Sequence, residues 1–312
     1  MIINFNLKTN VIFGSGKRFE LNNFINKKKY KNVLVFIEAE ISRISIFKDF
    51  INNFTFNYTI IKCQNITPTY NFLDNQMVKI RKLTNIDAFI GIGGGATIDI
   101  TKGFSVLYKN KLSAINYRGF DKFSNQPLPI IAVPTTSGTG SEITPNASFI
   151  DTLNNKKMGI NGEGIRPIFS ILDPELTLSC PLLPTISSGL DSMVHATEAF
   201  VAKKTNLFAQ LFAKEGYQMV IEYLPLVAND LDNKLYRERV MYGAFLSAIS
   251  LMNSGTGPSA AMSYPLEVFF EIPHGISGAI FLPFVVEYNI SKGFYNYSKL
   301  NKPYSGENGQ KG

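Results

Sequence analysis

Cysteine is scarce in this 312-residue chain: Cys63 and Cys180 stand far apart and outside any CxxC spacing. That argues against a disulfide framework or a structural zinc knuckle, and it fits a reducing cytoplasm. Histidine is equally scarce, with only His195 and His274. Long apolar runs are missing too. The longest, residues 279–286, is interrupted by Pro283 and falls far short of the about 20 residues that cross a bilayer. The opening MIINFNLKTNVIFGSGKRFEL mixes Asn and Lys into its apolar residues and lacks the h-region of a signal peptide. The expectation is a cytoplasmic protein without a membrane partner. No internal repeat or low-complexity block occurs.

What is present is the composition of a globular protein, 45% hydrophobic and 18% charged, with length for two domains of ordinary size. The net charge of +7 raises the question of nucleic acid. Its basic residues are scattered, however, and the one tight cluster, Lys27, Lys28, Lys29 and Lys31, precedes an apolar strand and reads as a solvated loop. No nucleic-acid partner is expected.

Short apolar runs at 33–37 (VLVFI), 58–62 (YTIIK), 88–92 (AFIGI) and 129–133 (PIIAV) predict buried parallel strands. Helical spacing fills 45–54, 71–83 and 97–108, and such alternation predicts a wound α/β domain. After Pro181 and Pro184 the apolar residues recur at three and four positions and strand signals stop. The expected organisation is an α/β dinucleotide-binding domain over 1–180 and a helical metal and substrate domain over 181–312. Residues 291–312 read as a frayed tail.

Four stretches carry chemistry. In AFIGIGGGATIDITKG (88–103), a strand runs into Gly93, Gly94 and Gly95 and then a helix. Glycines there let backbone N–H groups approach a ligand, and the helix start offers donors for a pyrophosphate. A tight turn without a ligand would look the same locally. VPTTSGTGSEITPN (133–146) also follows a strand and packs Thr135, Thr136 and Thr139 into a hydroxyl-rich loop, at the strand end where open α/β sheets bind ligands. In SGLDSMVHATEAF (188–200), Asp191 and His195 lie four apart on one helix face. That spacing suits a shared divalent cation and equally a plain helix contact. In YPLEVFFEIPHG (264–275), His274 sits between Pro273 and Gly275 in an expected non-helical turn.

Taken together these stretches resemble the iron-containing (group III) alcohol dehydrogenase family. The likeness runs from FGSG (13–16) to about Asn289 through GGGATIDITK, PTTSGTGSE with TPN, KMGI (157–160), DPELT (173–177), GLDSMVHATE and PHG followed by FLP. It implies an α/β N-terminal dinucleotide-binding domain plus an all-helical C-terminal domain, the architecture shared with dehydroquinate synthase. It implies NAD bound by Gly93, Gly94, Gly95, Ala96, Thr97, Thr135, Thr136 and Thr139, with Asn146 and Lys157 as further contacts. Glu38, ending the strand VLVFI, stands near the family's ribose-binding acid; its charge would repel a 2′-phosphate, favouring NAD over the alternative, NADP. A divalent ion, Fe2+ or Zn2+, would be held by Asp191, His195 and His274. The implied reaction moves hydride between NAD and a small alcohol or aldehyde, in a homodimer.

Two departures stand out. The family's remaining ligand position falls on Ala260, and a further family histidine falls on Tyr264. The chain also ends earlier than family members typically do, so helices that close over the site are expected to be missing. A metal takes the pKa of bound water from 15.7 to about 7, roughly 12 kcal/mol at 1.36 kcal/mol per unit, against about 1.5–3 kcal/mol for one charge-assisted hydrogen bond. No side chain replaces that. Two histidines and a carboxylate can still hold a metal with open positions. The alternatives are a metal-free aldehyde reductase with Tyr264 or His274 as proton donor, and a non-catalytic nucleotide-binding remnant.

Overall fold

Strand β2 (Asn32–Glu38) shows why the N-terminal region folds as it does. Its five central residues, Val33 to Ile37, are all buried. Val33, Val35 and Ile37 point into one apolar cluster and Leu34 and Phe36 into another, so both faces of the strand are covered, as parallel α/β sheets require. In this computed structural model, which describes residues 3–64 and 68–300, AFIGIG (88–93) and IIAVP (130–134) repeat that full burial while the edge strands NVIF (10–13) and NYTIIKC (57–63) are only partly buried, all within one series of strands and helices. In chain order they are β1 (Asn10–Phe13), α1 (Glu20–Lys28), β2, α2 (Ser45–Asn52), β3 (Asn57–Cys63), α3 (Tyr70–Ile80), β4 (Ala88–Gly93), α4 (Gly95–Lys109), β5 (Gly119–Phe120), β6 (Ile130–Pro134), β7 (Asn146–Asp151), β8 (Lys156–Asn161) and β9 (Phe169–Leu172).

Six of these strands form one parallel sheet in the order β1-β9-β6-β4-β2-β3. The remaining three form a small sheet, β5-β8-β7, in which β7 and β8 pair antiparallel with Ile150 opposite Lys157. The four strands expected from apolar runs are all present, but β3, expected to be buried, lies at the edge of the sheet and is mostly exposed, because only one neighbour covers it. The edge strand β1, the short β9 and the small sheet carry weaker signals. β1 exposes its first residue, and β8, KKMGIN, holds two lysines and a glycine. The lysine cluster expected in a loop is partly helical: Lys27 and Lys28 close the last turn of α1 and Lys29 ends it in the left-handed region. Cations there complement the carbonyl end of the helix dipole.

From Pro181 the chain is helical. Here lie α5 (Leu182–Val201), α6 (Leu207–Asn229), α7 (Lys234–Ser254), α8 (Pro258–Phe270) and α9 (His274–Ser291). Asn206 and Asn233 cap α6 and α7 by accepting from backbone N–H groups three residues on, and Pro258 opens α8 at the position where a missing N–H costs nothing. None of the described helices is long and apolar enough to cross a membrane. The tail expected from residue 291 onward begins with order: a 3₁₀ turn covers Asn296–Lys299, and Leu300 is buried beside Ala196, Phe200 and Ala213. Residues 301–312 of that stretch lie outside the described residues.

By compactness the chain divides into two units. One comprises Leu7–Thr136 with Ser141–Cys180; the other takes in Ser137–Gly140, the described residues from Pro181 on, and those ahead of Leu7.

Candidate active site

In the α/β unit the two ligand-type turns lie side by side. β4 pairs with β6 so that Gly93 is opposite Pro134, and the Thr135 N–H donates to the Gly93 carbonyl at 3.0 Å. Gly93 has φ 158°, and a Cβ there would stand 2.6 Å from Thr97 Oγ1, so only glycine fits this bend. Gly94 then acts as the N-cap of α4 and, as a glycine, brings no capping side chain of its own. Gly95, Ala96 and Thr97 form its first turn, where donors have no intrahelical partner. Thr136 lies against Gly94, within 3.5 Å of a Cβ built on it.

Glu38 ends β2, next to β4 in the sheet, and its carboxylate accepts the Gly94 backbone N–H. Burial, with Glu40 nearby, holds its pKa above the usual carboxylate range despite that bond. Glu38, Gly94 and Thr136 thus sit at the carboxyl ends of three neighbouring strands, where doubly wound sheets take ligands. Asn146 and Lys157 lie on the small sheet, at the start of β7 and within β8. Thr139 belongs with the helical unit.

Behind these turns is a buried polar network that reading the sequence left unassigned. Lys102 on α4 donates to Ser141 Oγ at 2.8 Å and to the Asn146 carbonyl at 2.7 Å, and its Nζ lies 3.8 Å from Asp99 Oδ1. Asp99 in turn accepts from the Ser141 hydroxyl and from the Ser148 N–H. Burial pushes the Lys102 ammonium down to about 8, opposed by Asp99 and Glu142, and pushes the Asp99 carboxyl up, opposed by Lys102. The GGGATIDITK motif therefore does two jobs: its glycines open the turn, and its Asp and Lys pin the chain just beyond the second loop. The FGSG and DPELT motifs meet each other in the same way. Buried Asp173 accepts from the Gly16 and Arg18 N–H groups and from the Arg18 guanidinium, which is a structural clasp.

In the helical unit, α5 presents Asp191 and His195 from one face, with His195 Nε2 3.4 Å from Asp191 Oδ1. His274 is not in a non-helical turn; it is the first residue of α9, whose N-cap is Pro273. Gly275 makes this placement possible. A Cβ there would lie 1.8 Å from the Ser187 carbonyl oxygen and 2.8 Å from Asp191 Cβ, so α9 begins in direct contact with the backbone of α5. His274 Nε2 thereby comes within 3.8 Å of Asp191 Oδ1. The Tyr264 ring stacks on that imidazole with centroids 5.7 Å apart and planes at 28°.

Glu198, one turn beyond His195, fixes where α8 begins. Its Oε2 accepts from Thr256 Oγ1 and the Gly257 N–H, and its Oε1 from the Ser259 N–H. A buried carboxylate at a helix N-terminus satisfies exposed donors and the dipole together. The acid in GLDSMVHATE is thus a cap for the helix that carries Ala260 and Tyr264.

Donors bound 2.0–2.2 Å from a tetrahedral cation stand about 3.3–3.6 Å from one another. Asp191 meets the two imidazoles at 3.4 and 3.8 Å, near that spacing and beyond ordinary hydrogen bonds. Among the described residues, the buried His195 Nδ1 has no hydrogen-bond partner. Two imidazoles and one carboxylate are donors suited to iron or zinc, and in chemistry and spacing they fit a divalent ion. Among the described residues no group of three or more His, Cys, Asp and Glu side chains already stands at metal-holding distances. The set is an open one, with the methyl of Ala260 on the neighbouring helix.

An α/β sheet with paired glycine and threonine turns is followed in the chain by a helical unit that gathers an Asp and two His. Residues 8–174 match the family model for iron-containing alcohol dehydrogenase, and residues 185–310 that for the C-terminal part of the Fe-containing alcohol dehydrogenase family. The chain belongs to the iron-containing alcohol dehydrogenase family. It is 31% identical over 281 residues to alcohol dehydrogenase 4 of Schizosaccharomyces pombe, covering 89% of this chain and 66% of that protein. It is 33% identical over 214 residues to the NAD-dependent methanol dehydrogenase of Bacillus methanolicus, covering 68% of this chain and 56% of that one. The chain thus spans less than two thirds of either relative's length. Among solved structures it is similar to sulfoacetaldehyde reductase from Bifidobacterium kashiwanohense in complex with NAD+, with a TM-score of 0.86, 26% identity and coverage of 93% of this chain and 77% of that one.

Proposed function

We propose that the chain transfers hydride between NAD and a small alcohol or aldehyde, with Asp191, His195 and His274 holding a divalent cation, Fe2+ or Zn2+. The observation that carries this reading is the meeting of the chain's only two histidines on one buried carboxylate, at 3.4 and 3.8 Å. Family membership supports it, as do the NAD+ in the sulfoacetaldehyde reductase complex and the NAD dependence in the name of the methanol dehydrogenase relative. The chemistry a bound cation supplies is Lewis acidity at the substrate oxygen, and that of the nicotinamide is hydride exchange.

The chain's own residues do the rest. The turn at Gly93, Gly94 and Gly95 offers the start of α4 to a pyrophosphate. Thr135, Thr136, Thr139, Asn146 and Lys157 are the further polar contacts we assign to the dinucleotide, and Ala96 and Thr97 its close backbone neighbours. Glu38 sets NAD over NADP by repelling a 2′-phosphate. Tyr264, stacked on His274, handles the proton at the substrate oxygen. We assign residues 1–180 to dinucleotide binding and 181–312 to metal and substrate, in a cytoplasmic homodimer.

Elemental analysis of purified protein, followed by NADH consumption across a panel of small aldehydes before and after chelation, tests this. Near-stoichiometric iron or zinc is expected, with turnover lost on chelation and restored by the metal. Full turnover in metal-free protein would remove the cation from the reading; absence of turnover in metal-loaded protein would remove the reaction.

A further inference from the structure

The other nitrogen of His274 is held by two side chains of α8. Ser263 Oγ lies 3.0 Å from His274 Nδ1, and Glu267 Oε2 lies 3.2 Å from the same atom. Both come from α8, on the face that also carries Ala260 and Tyr264, since positions 260, 263, 264 and 267 follow one another at helical spacing. The Glu267 side chain is 9% exposed.

Hydrogen counting decides the direction. A serine hydroxyl has one proton, and Ser263 donates it to the Ala260 carbonyl at 2.6 Å. Towards His274 it therefore presents only lone pairs. A carboxylate is likewise an acceptor. Two acceptors converge on Nδ1, so the ring proton sits there. Nε2 then carries the lone pair, aimed at Asp191 across 3.8 Å, a gap too long for a hydrogen bond.

We infer that Glu267, with Ser263 assisting, is a positioning residue that holds His274 in the Nδ1–H tautomer and fixes its Nε2 as the ligand atom of the Asp191–His195 centre. The inference rests on the metal reading given under Proposed function. Carboxylates that accept the second N–H of a metal-bound histidine orient the ring and raise its basicity, and their loss costs about 10- to 100-fold in metal affinity. Here that support comes from α8, the same helix that lacks a donor at Ala260, so a centre short of one ligand is compensated at another.

Two readouts on the full chain test this. The first is long-range 15N NMR of the metal-free protein at about pH 8, above the usual imidazole range; two histidines give two ring patterns, told apart with a His195→Gln variant. His274 is expected as the Nδ1–H tautomer in the wild type and in Glu267→Gln, whose amide oxygen can still accept, and as a mixture or the Nε2–H form in Glu267→Ala. The second is Co2+ titration followed by its visible absorption, with NADH affinity as a control. Affinity for Co2+ should fall about 10- to 100-fold in Glu267→Ala and recover largely in Glu267→Gln, with NADH affinity unchanged. An unchanged tautomer together with unchanged Co2+ affinity in Glu267→Ala overturns the inference and leaves the metal reading standing. If the wild type binds no Co2+ the metal reading falls, and the tautomer alone then decides whether Glu267 positions the ring.

Discussion

Two buried polar clusters in this molecule differ in how completely they are satisfied. Around Lys102 the ammonium donates at 2.8 and 2.7 Å, and Asp99 collects a hydroxyl and a backbone N–H. Around Asp191 the charged and polar atoms stand at 3.4 and 3.8 Å, and His195 Nδ1 has no partner among the described residues. A closed network is what a fold needs from buried charge, because each unpaired group costs free energy. An open one is tolerated where something else is to be bound. Saturation, more than burial or charge, separates the Lys102 cluster from the Asp191 cluster proposed as the metal centre.

If that contrast is sound, the two clusters should respond in opposite ways. Asp191→Ala should cost the most in function: kcat/KM falls about a thousandfold, equivalent to several kcal/mol of lost stabilisation at the substrate oxygen. Metal content should drop with it and the urea midpoint should hardly move; a large loss of stability with metal retained would put Asp191 in the structural class. Lys102→Met should behave as the mirror image. Removing the cation leaves Asp99 and Glu142 buried without it, at about 3 kcal/mol, measurable by urea unfolding, while metal content stays at the wild-type level. Gly275→Ala probes what brings the open cluster together. Its methyl would collide with the Ser187 carbonyl, so His274 shifts, and a misplacement of about 1 Å costs about a hundredfold in kcat. NADH affinity should stay constant in titration, since the glycine turn and the start of α4 belong to the other unit.

Much of this architecture can be read from residue order. The strands buried on both faces announce themselves as unbroken apolar runs, as in VLVFI and AFIGI, because nothing polar can occupy either side. The edge strand NVIF and the hairpin built on KKMGIN escape such reading, since half-exposed strands admit polar residues and glycine. The Asp191–His195 pair is legible because i,i+4 spacing is local. The position of His274 is not: what puts it beside Asp191 is a backbone contact between α9 and α5, visible in sequence only as the glycine after the histidine. Glu198 and Lys102 sit inside recognisable motifs, yet their work is long-range, capping α8 and tying α4 to the chain beyond the second loop. Glu267 gives a faint signal, the single acid of α8, three residues after Tyr264.

The decisive measurement is where a divalent ion sits. A crystal structure of the chain loaded with Zn2+, with anomalous scattering recorded at the zinc edge, should place one ion about 2.0–2.2 Å from His195 Nε2, His274 Nε2 and an Asp191 carboxylate oxygen. An ion bound elsewhere, or an empty centre in protein that still turns over, would contradict the account.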